Sequence, residues 1–152
     1  MKLVKVSSEK ALEKELIGKV FHVTPLENFP SIQEKGLTPN TELKVKSEFT
    51  NTATGFFRLR GCVSFFDYRN YGSKTWKEHA YKCRPTQVLD RTNAIAVLFL
   101  SEDLFDGLVP WTKWKEEEAY SQQVVPHIEI GHKGIVSMTH ISKVIIFELK
   151  NC

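Results

Sequence analysis

Residues Phe21 to Leu37 read FHVTPLENFPSIQEKGL, and this stretch decides the fold. It opens as a strand. Side chains along a strand alternate between faces, so His22 and Thr24 share one face while Phe21 and Val23 turn the other way, into a core. A helix follows at once. Asn28 is the expected N-cap, Pro30 is tolerated in the first turn, and Gly36 stands where a helix stops. Leu26, Phe29, Ile32 and Leu37 form its apolar stripe. Two polar side chains at the end of a strand, beside a helix start, suit hydrogen bonding to a ligand. The spacing is met equally by a half-buried strand histidine with no ligand.

Working outward, residues 2–6 alternate charged and apolar side chains, as a short strand does. Ser8 can cap a helix over residues 9–17, with Gly18 past its end. Residues 38–54 are polar and rich in Thr, Asn and Lys, so they read as a long surface loop, and loops of that length are often functional. Residues 61–67, GCVSFFD, read as a strand. Ser73 can cap a helix running to about Cys83. Residues 94–100, AIAVLFL, are a continuous apolar run, the mark of a central strand covered on both faces. A short helix is expected after Ser101, then loop and helix over residues 110–118. Residues 124–130 read as a strand carrying Pro126, hence an edge or a bulge. A turn follows over 131–134, and residues 142–149, SKVIIFEL, make a last strand. The sum is one α+β domain, with about six strands interleaved with short helices.

Composition bounds the function. The chain has 152 residues, 41% hydrophobic and 26% charged, the balance of a globular domain with room for one core. Its net charge of +3 permits a nucleic-acid or phosphate partner without demanding one. The opening MKLVKVSSEK has no apolar core of a secretion signal, and no stretch approaches a membrane span, so no membrane partner is expected. Cys62, Cys83 and Cys152 are widely spaced and form no CxxC, which points to a reducing cytoplasm rather than a disulfide framework. There is no P-loop and no GxGxxG. His127, Glu129 and His132 lie close in sequence but across a strand and turn, so no metal site is expected. Trp111 and Trp114, with Lys113 and Lys115, can stack on a base or pack on the core.

The string FHVTPLENFPSIQEKGLTP resembles the opening motif of a group of related families: RNA 2'-phosphotransferases, DNA-targeting ADP-ribosyltransferase toxins, and other bacterial and phage ADP-ribosyltransferases. The shared pattern is aromatic-His-x-Thr, then an amphipathic helix containing Ile and ending in Gly-Leu. The resemblance implies an ADP-ribosyltransferase-like split β-sheet core and NAD as co-substrate. It implies that His22 holds the adenosine ribose, and that Thr24 or the backbone beside it holds the nicotinamide amide. Ser64 would support the catalytic acid. Phe65 or Phe66 would stack on the nicotinamide ring, and Arg69, with Tyr68 and Tyr71 around it, would hold the ring or a phosphate. The acid itself would be Glu129, near the start of a late strand, where a carboxylate would stabilise the oxocarbenium-like state as nicotinamide leaves. His127 would recognise the target. Glu116, Glu117 and Glu118 compete for the acid's role, and the same trio is also a plain solvated helix face. The acceptor implied is a macromolecule, DNA, RNA or protein, and a stand-alone copy suits a toxin, a phage-defence factor or a phage-encoded modifier. RNA 2'-phosphotransferases carry a further set of His and Arg residues that is not found here. RNA 2'-phosphotransfer, NAD hydrolysis and non-catalytic nucleotide or nucleic-acid binding are the alternatives.

Overall fold

The computed structural model describes residues 2–39 and 55–149. Most of the polar 38–54 stretch lies outside the described residues. Seven strands form one mixed sheet, in the order β1-β7-β4-β2-β3-β6-β5. They are β1 Lys2–Val6, β2 Val20–Pro25, β3 Cys62–Asp67, β4 Ala94–Leu100, β5 Val109–Pro110, β6 Glu129–Lys133 and β7 Ile141–Glu148. Only β1 and β7 run parallel; the other neighbours are antiparallel. The helices are short: α1 Glu9–Leu16, α2 Phe29–Lys35, α3 Phe56–Leu59, α4 Lys74–His79 and α5 Thr112–Glu116.

Both faces of the sheet are covered. On one face Phe21, Val23, Phe66, Tyr68, Val97 and Ile145 pack with Leu12 and Leu16 of α1. On the other, Val20, Phe65, Leu98 and Ile146 pack with Phe29 and Leu37. This double covering is why β4 is apolar throughout, as the sequence predicts. The expected caps of α1 and α4 are present: Ser8 Oγ accepts from Ala11 N at 3.1 Å and Ser73 Oγ from Trp76 N at 3.2 Å. Helix α4 is shorter than the sequence suggests and gives way to a 3-10 turn, Ala80–Lys82. The expected helix after Ser101 is likewise a 3-10 segment, Glu102–Gly107.

Three expectations are corrected. Asn28 holds the N-cap position of α2 as expected, but its side chain does not cap the helix; it closes a 3-10 turn, Leu26–Asn28, and its amide donates to Thr24 Oγ1 at 3.0 Å. Residues 124–128 are not strand. Pro126 brings no N–H, and His127 takes the left-handed φ of 66°, so the chain bends and β6 begins only at Glu129. Gly131 is not in a turn but inside β6, because the ring of Phe57 occupies the place of its missing side chain. A Cβ there would lie 2.4 Å from Phe57 Cδ1.

One ladder in the middle of the sheet is short. The β2–β3 ladder has only two pairs, Val20↔Asp67 and Phe21↔Phe66. Past the Phe21↔Phe66 pair, β2 continues along β4 and β3 along β6, each over four pairs. The sheet is therefore two halves joined at one short seam, which opens at His22.

Candidate active site

His22 is the first β2 residue beyond the seam. Its Nδ1 lies 2.9 Å from the Ser64 carbonyl oxygen, so an imidazole takes the place of the next backbone rung. A carbonyl only accepts, so Nδ1 carries the proton and Nε2 is left as an acceptor. Burial holds the ring below the usual histidine range, against the pull of the Ser64 carbonyl, and so favours its neutral form. The edge of the ring meets Phe65, at 5.9 Å between centroids.

The hydroxyl of the same Ser64 donates to Glu129 Oε2 at 3.1 Å. The other carboxylate oxygen accepts from the Val125 N–H at 2.9 Å. That amide is delivered by the bend at Pro126–His127, which folds Val125 back over the start of β6. Desolvation pushes the Glu129 carboxyl up to about 7, against the pull of the Val125 and Ser64 hydrogen bonds. A carboxyl raised toward neutrality is suited to acid–base work.

The ladder fixes which way these groups face. Phe66 stacks on Phe21, with centroids 5.2 Å apart, and stands opposite Glu129 in the β3–β6 register. Glu129 and the Ser64 hydroxyl thus share a face with Phe21. His22, Thr24 and Phe65 share the opposite face. Ser64 links the two, by its carbonyl in the plane of the sheet and its hydroxyl on the Glu129 side.

The other expected residues fall at varied distances from this pair. Thr24 is buried and spends its oxygen on Asn28. Phe65 and Phe66 are both buried in the core, one on each face of the sheet, so neither offers an exposed ring for nicotinamide to stack on; Phe65 also meets the edge of the His22 ring. Arg69 pairs with Asp67, Nε to Oδ1 at 2.9 Å. His127 is not on the strand with Glu129. It sits in the bend, its ring 4.4 Å from Trp111 and 5.1 Å from His79 between centroids. Of the rival acids, Glu117 pairs with Arg60 at 2.6 Å and Glu116 with Lys113 at 3.1 Å. Glu118 is exposed just past α5, at φ 52°. None of the three is desolvated as Glu129 is. Among the described residues no three His, Cys, Asp or Glu side chains group as metal ligands. His132 faces away from Glu129 by strand alternation.

Sequence reasoning missed Val125, because its part is played by a backbone N–H that any residue type carries. It also missed His79. Lys82 Nζ donates to His79 Nδ1 at 2.9 Å, and burial with Lys82 lowers the ring's proton affinity. No helix among the described residues is long and apolar enough to cross a membrane. Comparison with known protein families, curated proteins and solved structures finds no match to this chain.

Proposed function

We propose that this chain is an NAD-dependent ADP-ribosyltransferase with a split-sheet core, passing ADP-ribose to a macromolecular acceptor. The observation that carries the reading is the double use of Ser64, holding His22 by its carbonyl and Glu129 by its hydroxyl where the two half-sheets part. His22 and Glu129 leave the sheet on opposite faces. A ligand that touches both lies across the opening between β2 and β3, which favours an elongated molecule such as a dinucleotide.

In this reading His22 Nε2 accepts from a ribose hydroxyl. Glu129 acts in its ionised form. As the glycosidic C–N bond breaks, nicotinamide leaves with the electron pair and positive charge develops on the ribose, which the carboxylate stabilises. The acceptor's lone pair then forms the new bond at that carbon, and its proton passes to Glu129. Water in the acceptor's place gives NAD hydrolysis.

The test is incubation with labelled NAD and candidate DNA, RNA and protein acceptors, using the wild type, Glu129→Gln and Glu118→Gln. Label transfer by the wild type and Glu118→Gln, lost in Glu129→Gln, is the expected result. Release of nicotinamide without transfer turns the reading to hydrolysis. Binding of NAD with no turnover leaves a binding module. No binding of NAD by calorimetry would sink all three.

A further inference from the structure

A cleft of about 300 Å³ lies between α1, the loop after β3 and the segment that runs from α4 to Pro85. It is on the face of the sheet that carries Phe21 and Tyr68, and none of His22, Ser64 and Glu129 lines it. One wall is aromatic. Tyr71 and Trp76 pack with centroids 4.3 Å apart, and Tyr68 meets Trp76 edge-on at 5.3 Å. Helix α1 makes another wall. Glu9, Leu12, Glu13 and Leu16 follow the i, i+3, i+4, i+7 spacing of one helix face, and all four line the cleft. Leu12 and Leu16 are buried, while the two carboxylates are exposed one turn apart. Glu13 accepts from the Tyr71 hydroxyl at 2.7 Å, which ties the acidic wall to the aromatic one.

The charge of the cleft is uncompensated. Among the described residues neither Glu9 nor Glu13 forms an ion pair, whereas Glu15 of the same helix is taken by Lys143 at 2.7 Å. Arg84, a cation at the cleft, stands 3.9 Å from Asp90, which offsets it. Carboxylates and the negative faces of aromatic rings both attract a cation. A primary ammonium is strongly hydrated and needs acceptors for three N–H donors. The aromatic wall is poor in them: the Tyr71 hydroxyl is engaged with Glu13, and the indole N–H of Trp76 is buried without a partner and only donates. Methylation of the nitrogen removes the donors and leaves a charge in an apolar coat, which rings and carboxylates together match.

We infer that this cleft binds a small quaternary ammonium ion, seated on Tyr71 and Trp76 and drawn in by Glu9 and Glu13. The site stands apart from the His22–Glu129 pair and does not depend on the NAD reading. Its volume is at the small end of the range for clefts that take a whole small molecule, so the ion is a free one rather than the tip of a protein side chain.

The experiment titrates three probes into the chain and follows the ring signals of Tyr71 and Trp76 by NMR. Choline carries the quaternary ammonium. Ethanolamine keeps the charge and loses the methyl groups. Neohexanol, the uncharged carbon isostere of choline, keeps the shape and loses the charge. Choline is expected to move these signals and to bind roughly three- to thirtyfold more tightly than either of the others. Glu9→Gln, at an exposed position, is expected to weaken choline about two- to fivefold, and Glu9→Gln with Glu13→Gln about three- to tenfold, with neohexanol unchanged. Neohexanol or ethanolamine binding as well as choline overturns the proposal, as does wild-type choline affinity in the double variant. Equal loss of choline and neohexanol in Glu9→Gln reads as damage to the fold and also overturns it. So does a wild-type chain in which choline moves no signal of Tyr71 or Trp76. A trimethyllysine peptide that binds far more tightly than choline overturns the assignment to a free small molecule.

Discussion

At the scale of a residue, Glu129 sets stability against chemistry. Its carboxyl sits near 7 in the folded chain, against an ordinary value of 4.5. Below about pH 4.5 both folded and unfolded chains hold the proton, and burial carries no ionic penalty. Between that value and 7 the unfolded chain ionises while the folded one does not, so stability falls as pH rises. Above 7 the full penalty applies, about 3 kcal/mol. Glu129→Gln removes this titration and keeps the hydrogen-bonding shape, since its amide can accept from Val125 and donate to Ser64. The variant is expected to match the wild type near pH 4 and exceed it by up to about 3 kcal/mol at pH 8, by denaturant unfolding at both pH values. A difference that does not change with pH contradicts the raised carboxyl.

At the scale of an element, β6 holds the carboxylate, and Gly131 holds β6. This glycine stands opposite Ser64 in the ladder and against the buried ring of Phe57. Gly131→Ala forces Phe57 or the strand to move. It is expected to destabilise the fold by about 1–3 kcal/mol and to reduce activity beyond the loss of folded protein. Thermal unfolding with activity per folded molecule separates the two; unchanged stability means the Phe57 pocket yields freely. Much of the element pattern is legible in the sequence. The apolar run of β4, the alternation of β1 and the His-x-Thr of β2 each announce themselves. Strand β6 is misread because its apolar residues start early, at Val124, and only the bend at His127 separates that run from the ladder. Strand β5 is two residues long and leaves no periodic trace. Ser64 and Glu129 are legible as residue types. Their meeting is not, because it depends on the diagonal contact across the β3–β6 register, and the Val125 N–H depends on a turn.

At the scale of the whole molecule, the two half-sheets are joined by two ladder pairs, the backbone hydrogen bonds of Tyr68 with Gly18 and Lys19, the His22–Ser64 hydrogen bond and the aromatic packing of Phe21, Phe66 and Tyr68. The β4–β7 ladder has seven pairs and is buried on both faces. Native-state hydrogen exchange is expected to give β3 and β6 amides a lower opening free energy than those of β4 and β7. Phe66→Ala is expected to widen that gap and to lower global stability by about 3–5 kcal/mol. Uniform protection across both halves contradicts a weak seam. The order of the strands also bears on how the molecule is made. β7 is the last of the seven to be synthesised, yet it lies between β1, the first, and β4. A growing chain on the ribosome holds β1 without its partner among the described strands, and β4 with one apolar edge bare, until residues 141–148 emerge. Such an edge invites pairing with other chains. Translation therefore leaves this half of the sheet waiting on its final strand, and a chaperone that shields β4 during that interval is the help this topology calls for.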